Sequence, residues 1–216
     1  IKVALITGGS RGLGKSLAYA LSKEDAKIAI CALEKNELKQ ICDVIKKNGG
    51  VCDYARVDIT KKAEVEQFIK TILKKYKKID VLINNAGWAG MPTPIQKTTD
   101  KEFEKYFNTN VKSAFYFMRS ILPVMEKQKQ GIIVNITSRA GRIAHPRLAM
   151  YSATKFALRS LTSSLGKTLT DAKSPIQCIS IAPGAMNTPM RESLFGKKDS
   201  SRQQSPETVA RIIKDI

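Results

Sequence analysis

The sequence is poor in residues that bind metal ions. It contains one histidine, His145, and four cysteines in 216 residues. Cys31, Cys42, Cys52 and Cys178 form neither a CxxC pair nor a Cys/His spacing typical of a zinc site. We therefore expect no bound metal, and four reduced thiols of which most are buried.

Long hydrophobic runs are also absent. No apolar stretch approaches the roughly 20 residues that a membrane helix needs, and the first residues, IKVALITGG, do not resemble a signal peptide. There is no internal repeat, low-complexity tract or linker. Because 43% of the residues are hydrophobic, we predict one cytoplasmic domain over residues 1–216, without a membrane span. The sequence stops inside a helical pattern, PETVARIIKDI. It therefore leaves open whether a C-terminal strand is missing.

Acidic residues are scarce relative to basic ones. The sequence has 19 Asp and Glu against 37 Lys and Arg, a formal net charge of +18. A clustered basic surface would attract nucleic acid. The lysines instead recur across several helical patterns, such as ELKQICDVIKKNGG and FIKTILKKYKKID, and no nucleic-acid motif is recognisable. We interpret them as solvated helix faces and predict no nucleic-acid partner.

What the sequence does contain is a regular alternation of short apolar runs and helical patterns. Strands such as KVALIT, KIAICA and GIIVNITS are separated by helices predicted over 12–22, 35–47, 61–77, 99–127 and 150–172. This alternation is typical of βαβ units. It predicts a doubly wound α/β fold in three layers, with helices on both faces of a parallel sheet of six or seven strands. The polar stretch 191–205 is predicted to be a mobile lid.

A glycine-rich turn, TGGSRGLG at 7–14, follows the first strand and opens the first helix. Glycines in such a turn let the backbone approach a pyrophosphate, and the helix N-terminus offers N–H groups to the anion. We predict that this turn binds a dinucleotide through Gly8, Ser10, Arg11, Gly12, Leu13 and Gly14.

The end of the second strand favours NADP over NAD. An NAD-binding chain has an acidic residue at this strand end, whereas a nearby Arg suits the 2′-phosphate of NADP. Here the strand ends at Ala32 and Leu33, and Arg11 lies in the glycine turn. A strand end two residues later would make Glu34 the acid and reverse the preference.

The segment YSATK places Tyr151 and Lys155 four residues apart in a predicted helix, shortly after Ser138. Residues at this spacing share a helix face. A neighbouring ammonium stabilises a phenolate, so Lys155 is expected to lower the pKa of Tyr151 and make it a usable acid.

Seven motifs in this order resemble the short-chain dehydrogenase/reductase family in its common single-domain form, a Rossmann fold. They are TGGSRGLG, Asp58, NNAG at 84–87, Asn110, Ser138, YSATK and PGAMNT at 183–188. The resemblance implies that Tyr151 is the acid/base, that Ser138 bonds the substrate oxygen and that Lys155 binds the ribose. It further implies that Asn110 anchors a water relay.

The resemblance extends the cofactor site to further positions. They are Asp58 at the adenine amino group, Asn85, Ala86 and Gly87 along the cofactor, and Pro183, Gly184 and Thr188 at the nicotinamide, in addition to Tyr151 and Lys155. Three of the assigned residues have local alternatives: Ser138 as a turn cap, Asn110 bonding its own helix backbone, and Asp58 as a helix N-cap in competition with Thr60.

The expected function is an NADPH-dependent oxidoreductase that reduces a ketone or a 3-oxoacyl thioester. The alternative is a catalytically silent NADP-binding sensor or interaction module. Candidate substrate walls are Trp88, Met91, Arg142, His145, Arg147, Met190 and Phe195. Family resemblance also implies a homodimer or homotetramer that pairs through the helices at 99–127 and 150–172.

Overall fold

Six short strands form one parallel sheet at the centre of the computed structural model, which describes residues 1–215. They are β1 Val3–Thr7, β2 Lys27–Ala32, β3 Cys52–Arg56, β4 Val81–Asn84, β5 Gly131–Ile136 and β6 Ile176–Ile181. Their order is β3-β2-β1-β4-β5-β6. The chain adds β2 and β3 on one side of β1 and β4 to β6 on the other, so the order of strands reverses between β1 and β4. Open α/β sheets bind ligands at this switch point. The predicted doubly wound fold is confirmed, with six strands.

Helices cover both faces of the sheet. They are α1 Gly12–Ser22, α2 Lys35–Lys47, α3 Lys62–Tyr76, α4 Asp100–Phe107, α5 Ser113–Gln128, α6 Ala149–Asp171, α7 Pro189–Phe195, α8 Lys197–Ser200 and α9 Pro206–Lys214. The single helix predicted over 99–127 is wrong in one respect, because a π-helical turn over 108–112 separates α4 from α5. Such turns insert an extra residue and redirect side chains.

The core has two parts because alternate residues of each strand point to opposite faces. On one face, Ala4 and Ile6 of β1 pack with α1, α2 and α9. On the other face, Val3 and Leu5 of the same strand pack with α3 and α5. All four β1 residues are at most 1% exposed, so this strand is buried from both sides.

The prediction of four reduced thiols is wrong for one pair. Cys42 of α2 and Cys52 at the start of β3 form a disulfide, with their Cα atoms 5.1 Å apart. The turn after α2 returns the chain along the same helix, and this brings the two sulfurs within bonding distance. Cys31 and Cys178 are free and buried. Burial raises the pKa of the Cys178 thiol to about 12.

The segment predicted as a mobile lid contains regular structure. Thr188 caps α7, and Arg191 of that helix donates to Asp199 of α8 at 2.5 Å. Its mobility stays a prediction.

No helix within residues 1–215 is long and apolar enough to cross a membrane.

Pairing of subunits through the long helices stays a prediction. Phe103, Phe115 and Leu161 expose 44%, 41% and 39% of their surface, respectively.

Candidate active site

The largest set of predicted site residues meets in one cavity of about 410 Å³ at the carboxyl ends of the strands. The predicted residues that line it are Gly8, Ser10, Arg11, Gly12, Leu13, Asp58, Asn85, Ala86, Gly87, Ser138, Tyr151, Lys155, Pro183, Gly184 and Thr188. Gly14 and Asn110 are not among the residues that line it. The cavity thus joins the glycine turn to the Tyr/Lys pair, as the motif order predicts.

The glycine turn has the shape of a phosphate cradle. Gly8 and Gly12 have φ angles of +66° and +53°, which L side chains rarely adopt. A Cβ added to Gly14 would lie 2.2 Å from the carbonyl oxygen of Gly8. Helix α1 begins at Gly12 without a side-chain cap, so its first N–H groups remain available to an anion. These residues fit the pyrophosphate of a dinucleotide.

A charged pair marks the edge of the cavity beside β2. This strand ends at Ala32, where the sequence pattern predicts its end. The carboxylate of Glu34 accepts the Ser10 hydroxyl at 3.0 Å and pairs with Arg11 at 3.1 Å. The Arg11 side chain remains 64% exposed. Both residues weighed for cofactor preference therefore lie at the same edge and contact each other.

Asp58 shapes the turn after β3. Its Oδ1 accepts the backbone N–H of Thr60 at 3.0 Å and the Thr60 hydroxyl at 2.7 Å. The Thr60 hydroxyl bond is the main reason why the pKa of Asp58 is lowered. The N-cap position of α3 belongs to Lys61, so neither Asp58 nor Thr60 is the helix N-cap considered from sequence.

The NNAG motif fastens the glycine turn to the sheet centre. Asn85 donates its side-chain amide to the carbonyls of Thr7 and Gly8 at 3.0 and 3.2 Å. The Thr7 hydroxyl accepts the backbone N–H groups of Asn85 and Ala86 at 3.1 and 3.0 Å. Because these bonds connect β1 with the end of β4, they fix the turn in its observed conformation.

The proposed catalytic pair lies one turn apart near the start of α6. The Lys155 ammonium is 5.7 Å from the centre of the Tyr151 ring and donates to the carbonyl of Ile136 at 2.9 Å. The Ser138 hydroxyl lies near enough to the Tyr151 phenol to influence its pKa, and it accepts the N–H of Ala140 at 3.1 Å. Ser138 therefore lies near the phenol and also caps the turn that follows β5.

The titration behaviour of this pair differs from the sequence-based expectation. Burial raises the pKa of Tyr151, and the nearby Ser138 hydroxyl lowers it by less, so the net direction is upward. Burial lowers the pKa of Lys155 to about 8. Desolvation of the phenol is the largest cause, and Lys155 is not among the causes, so the expected lowering of the tyrosine pKa by the lysine stays a prediction.

Asn110 is 1% exposed and sits in the π-helical turn. Its Oδ1 accepts the N–H of Trp88 at 2.7 Å, and its Nδ2 donates to the Trp88 carbonyl at 2.9 Å and the Thr154 hydroxyl at 3.0 Å. The side chain does not bond its own helix, so that alternative is wrong. Asn110 instead joins the loop after β4 to α6, and its water-relay role stays a prediction.

Thr188, which is predicted to contact the nicotinamide, is positioned by the start of α7. Thr188 accepts the N–H of Arg191 at 3.2 Å as the helix cap. A Cβ added to Gly12 would lie 3.3 Å from the Thr188 Cγ2. The glycine turn and the segment after β6 therefore approach each other across the cavity.

The predicted substrate walls are only partly brought together. Trp88 and Met190 line the main cavity, whereas Met91 and Arg147 line a separate small pocket. Phe195 packs against Arg191 at 3.9 Å, Arg147 at 5.7 Å and His145 at 6.2 Å. The basic rim expected around the substrate is therefore largely engaged with α7, outside the cavity.

Sequence reasoning missed several residues of this site, and three of them are informative. Lys105 and Thr109 of the α4 region line the cavity, and their four-residue spacing on one helix face was the available signal. Thr154 bonds Asn110, a contact between distant segments that no local pattern predicts.

Comparison with known proteins agrees with this geometry. Residues 2–199 match the family described as short chain dehydrogenase. An uncharacterized oxidoreductase of Listeria monocytogenes is 31% identical, covering 98% of this chain and 88% of the relative.

Two solved structures are similar over nearly the whole chain. The alcohol dehydrogenase of Thermococcus sibiricus, complexed with 5-hydroxy-NADP, has a TM-score of 0.90 at 26% identity, covering 99% of this chain and 89% of that one. The 3-ketoacyl-(acyl-carrier-protein) reductase of Brucella melitensis, complexed with NADH, has a TM-score of 0.90 at 29% identity, covering 98% and 88%.

Proposed function

The chain belongs to the short-chain dehydrogenase family of nicotinamide-dependent oxidoreductases, and we propose that it reduces a ketone or a 3-oxoacyl thioester with NADPH. The observation that carries the proposal is the cavity in which Ser138, Tyr151 and Lys155 face the glycine turn. Ser138 and Tyr151 line the same cavity, and Ser138 influences the pKa of the phenol, which supports a shared role of both hydroxyls at one substrate oxygen.

In the proposed reaction, residues of the chain bind and polarise the carbonyl and donate the proton. A bound NADPH would supply the hydride. The Ser138 hydroxyl holds and polarises the carbonyl oxygen, and Tyr151 gives this oxygen its proton. A tyrosine with a raised pKa is protonated at neutral pH, which is the form that an acid in a reduction needs. Lys155 holds the nicotinamide ribose, and the glycine turn binds the pyrophosphate.

The preference for NADPH rests on the edge beside β2. The strand ends on Ala32, which has no side chain able to bond a ribose 2′-hydroxyl. The nearest carboxylate, Glu34, is already held by Ser10 and Arg11. The exposed guanidinium of Arg11 is suited to a 2′-phosphate, because it offers several N–H donors in one plane.

The cavity and a similar protein support the proposed class of carbonyl substrate. The cavity is more than large enough for a nicotinamide and a small ketone, and Trp88 and Met190 give it an apolar wall. The similar Brucella melitensis protein is named a 3-ketoacyl-(acyl-carrier-protein) reductase, which supports testing thioesters of this type.

The test follows the absorbance of NADPH and of NADH, separately, over ketones, quinones and 3-oxoacyl thioesters. We expect turnover mainly with NADPH. In Tyr151→Phe the rate should fall by about 10²- to 10⁴-fold, because the proton donor is lost.

The matched control is the affinity of Tyr151→Phe for NADP⁺, which should stay close to that of the unchanged protein. Turnover mainly with NADH would overturn the cofactor preference. Undiminished turnover in Tyr151→Phe would overturn the assigned acid.

A further inference from the structure

One cation in the cavity wall has no role in the proposed reaction. Arg11, Lys105 and Lys155 line the cavity. Arg11 is assigned to the 2′-phosphate of the cofactor and also pairs with Glu34, and Lys155 is assigned to the ribose and donates to a backbone carbonyl. Within residues 1–215, Lys105 forms no ion pair with any carboxylate. Glu102, one helical turn away, feels the charge of Lys105, which helps to lower the pKa of this carboxyl. Lys105 is nevertheless the cavity cation that no carboxylate contacts directly.

Lys105 is held in place by aromatic side chains. Its ammonium lies 4.0 Å from the centre of the Trp88 ring, a distance at which cations are attracted to indole faces. Trp88 in turn packs on Tyr106, with 4.4 Å between ring centres. The Tyr106 hydroxyl accepts the N–H of Gly90 at 2.9 Å, and this tyrosine is 6% exposed. We call Lys105, Trp88 and Tyr106 the cationic platform.

The cationic platform lies towards the catalytic end of the cavity. Trp88 directly follows Gly87, and a Cβ added to Gly87 would be 3.4 Å from the Lys155 ammonium. Tyr106 lines a small pocket together with Met150, the residue before the catalytic tyrosine. The platform is therefore close to the position at which a carbonyl would react.

We propose that the cationic platform binds a negatively charged group, a carboxylate or a phosphate, on the carbonyl substrate. The ammonium of Lys105 pairs with the anion, while the Trp88 face packs against the apolar part of the same molecule. Binding covers the ammonium and excludes water, which strengthens the charge pair. The inference rests on the proposed function, since it assigns the substrate class of the same site.

The test uses Trp88 itself, because it is the one tryptophan in the sequence. Its fluorescence is titrated in the presence of NADP⁺ with levulinate and with the neutral methyl levulinate, which share one ketone skeleton. Dihydroxyacetone phosphate and dihydroxyacetone form a second pair that distinguishes phosphate from carboxylate. We expect the anionic member of at least one pair to bind about 5- to 10-fold more tightly, and added salt to reduce this advantage.

Two variants separate the platform from the overall basic charge. Lys105→Met keeps the stem over the indole and should abolish the preference for the anion. Lys101→Met removes the same charge from an exposed position of α4 outside the cavity wall and should retain the preference. Equal binding of both members of each pair, or equal loss in the two variants, would contradict the proposal. So would a weakened NADP⁺ affinity in Lys105→Met, since the lysine would then belong to the cofactor site.

These titrations require binding alone. A protein that prefers the anionic ketone without turning it over would refute the proposed reductase activity and leave the platform supported. A protein that turns over neutral and anionic ketones and binds them with equal affinity would support the reductase activity and refute the anion-binding role of the platform.

Discussion

The two ends of the cavity, which we propose to be a phosphate end and a catalytic end, are built from different groups. At the phosphate end, glycines with positive φ and the start of α1 present backbone N–H groups. At the catalytic end, polar side chains are buried, with Asn110 at 1% and Lys155 at 3% exposure. The backbone end depends on the absence of side chains, whereas the side-chain end depends on the satisfaction of each buried polar group.

We expect the largest effect at Asn110, where a substitution tests whether the buried side-chain network stabilises its end of the cavity. In Asn110→Ala, the backbone groups of Trp88 and the Thr154 hydroxyl lose their partner. We expect the free energy of unfolding to fall by about 3 kcal/mol, since each unpaired buried group costs about 1–3 kcal/mol. Urea denaturation measures this loss. Asn108→Ala removes one exposed bond to Glu104 and should cost about 0.5 kcal/mol or less; similar losses in both variants would show that burial of the network is not what matters.

The phosphate end should respond to an added methyl group. Gly14→Ala places a Cβ against the carbonyl of Gly8 and the amide of Asn85, which should cost about 1–3 kcal/mol and weaken cofactor binding. Gly49→Ala is the control, because Gly49 also has a positive φ but no atom within 4 Å of an added Cβ. It should cost about 1 kcal/mol. Unchanged NADP⁺ affinity in Gly14→Ala would refute the phosphate-cradle assignment.

The buried lysine gives the catalytic end a pH dependence that the backbone end lacks. Lys155 is protonated below its pKa of about 8 and loses its charge as the pH rises through that value. Tyr151 stays neutral over this range because its pKa is raised. We expect NADP⁺ affinity to fall by about tenfold between neutral pH and the region well above this pKa, as a charge-assisted bond to the ribose is lost.

Isothermal titration across pH measures this dependence, with Lys155→Met as the control. The variant should bind weakly with a flat profile. A variant that retains the same decline would assign the titration to another group.

The smallest effect is expected at the exposed edge beside β2. In Glu34→Gln, Arg11 loses its ion-pair partner, and the ratio of kcat/KM for NADPH over NADH should rise by about threefold. The effect is small because exposed ion pairs contribute about 1 kcal/mol or less. Arg11→Gln should lower the ratio. A fall of the ratio in Glu34→Gln would show that Glu34 does not compete for the guanidinium.

Local patterns in the sequence predict the framework of this protein. Helices α1 and α2 begin and end where the periodicity places them, and β2 ends at Ala32. These features depend on residues close together in the chain, so propensity and spacing are enough to predict them. The motif order likewise places the glycine turn and the Tyr151/Lys155 pair at one edge, because parallel strands all end there.

The tertiary structure decided the contacts between distant segments. The Cys42–Cys52 disulfide, the Arg11–Glu34 pair and the ammonium over Trp88 each join different elements. The direction of the Tyr151 pKa also depends on the walls that exclude water from the phenol. Neither the distance between two elements nor the solvent access of a side chain is encoded in a local period, so both emerge only when the sheet and helices are packed together.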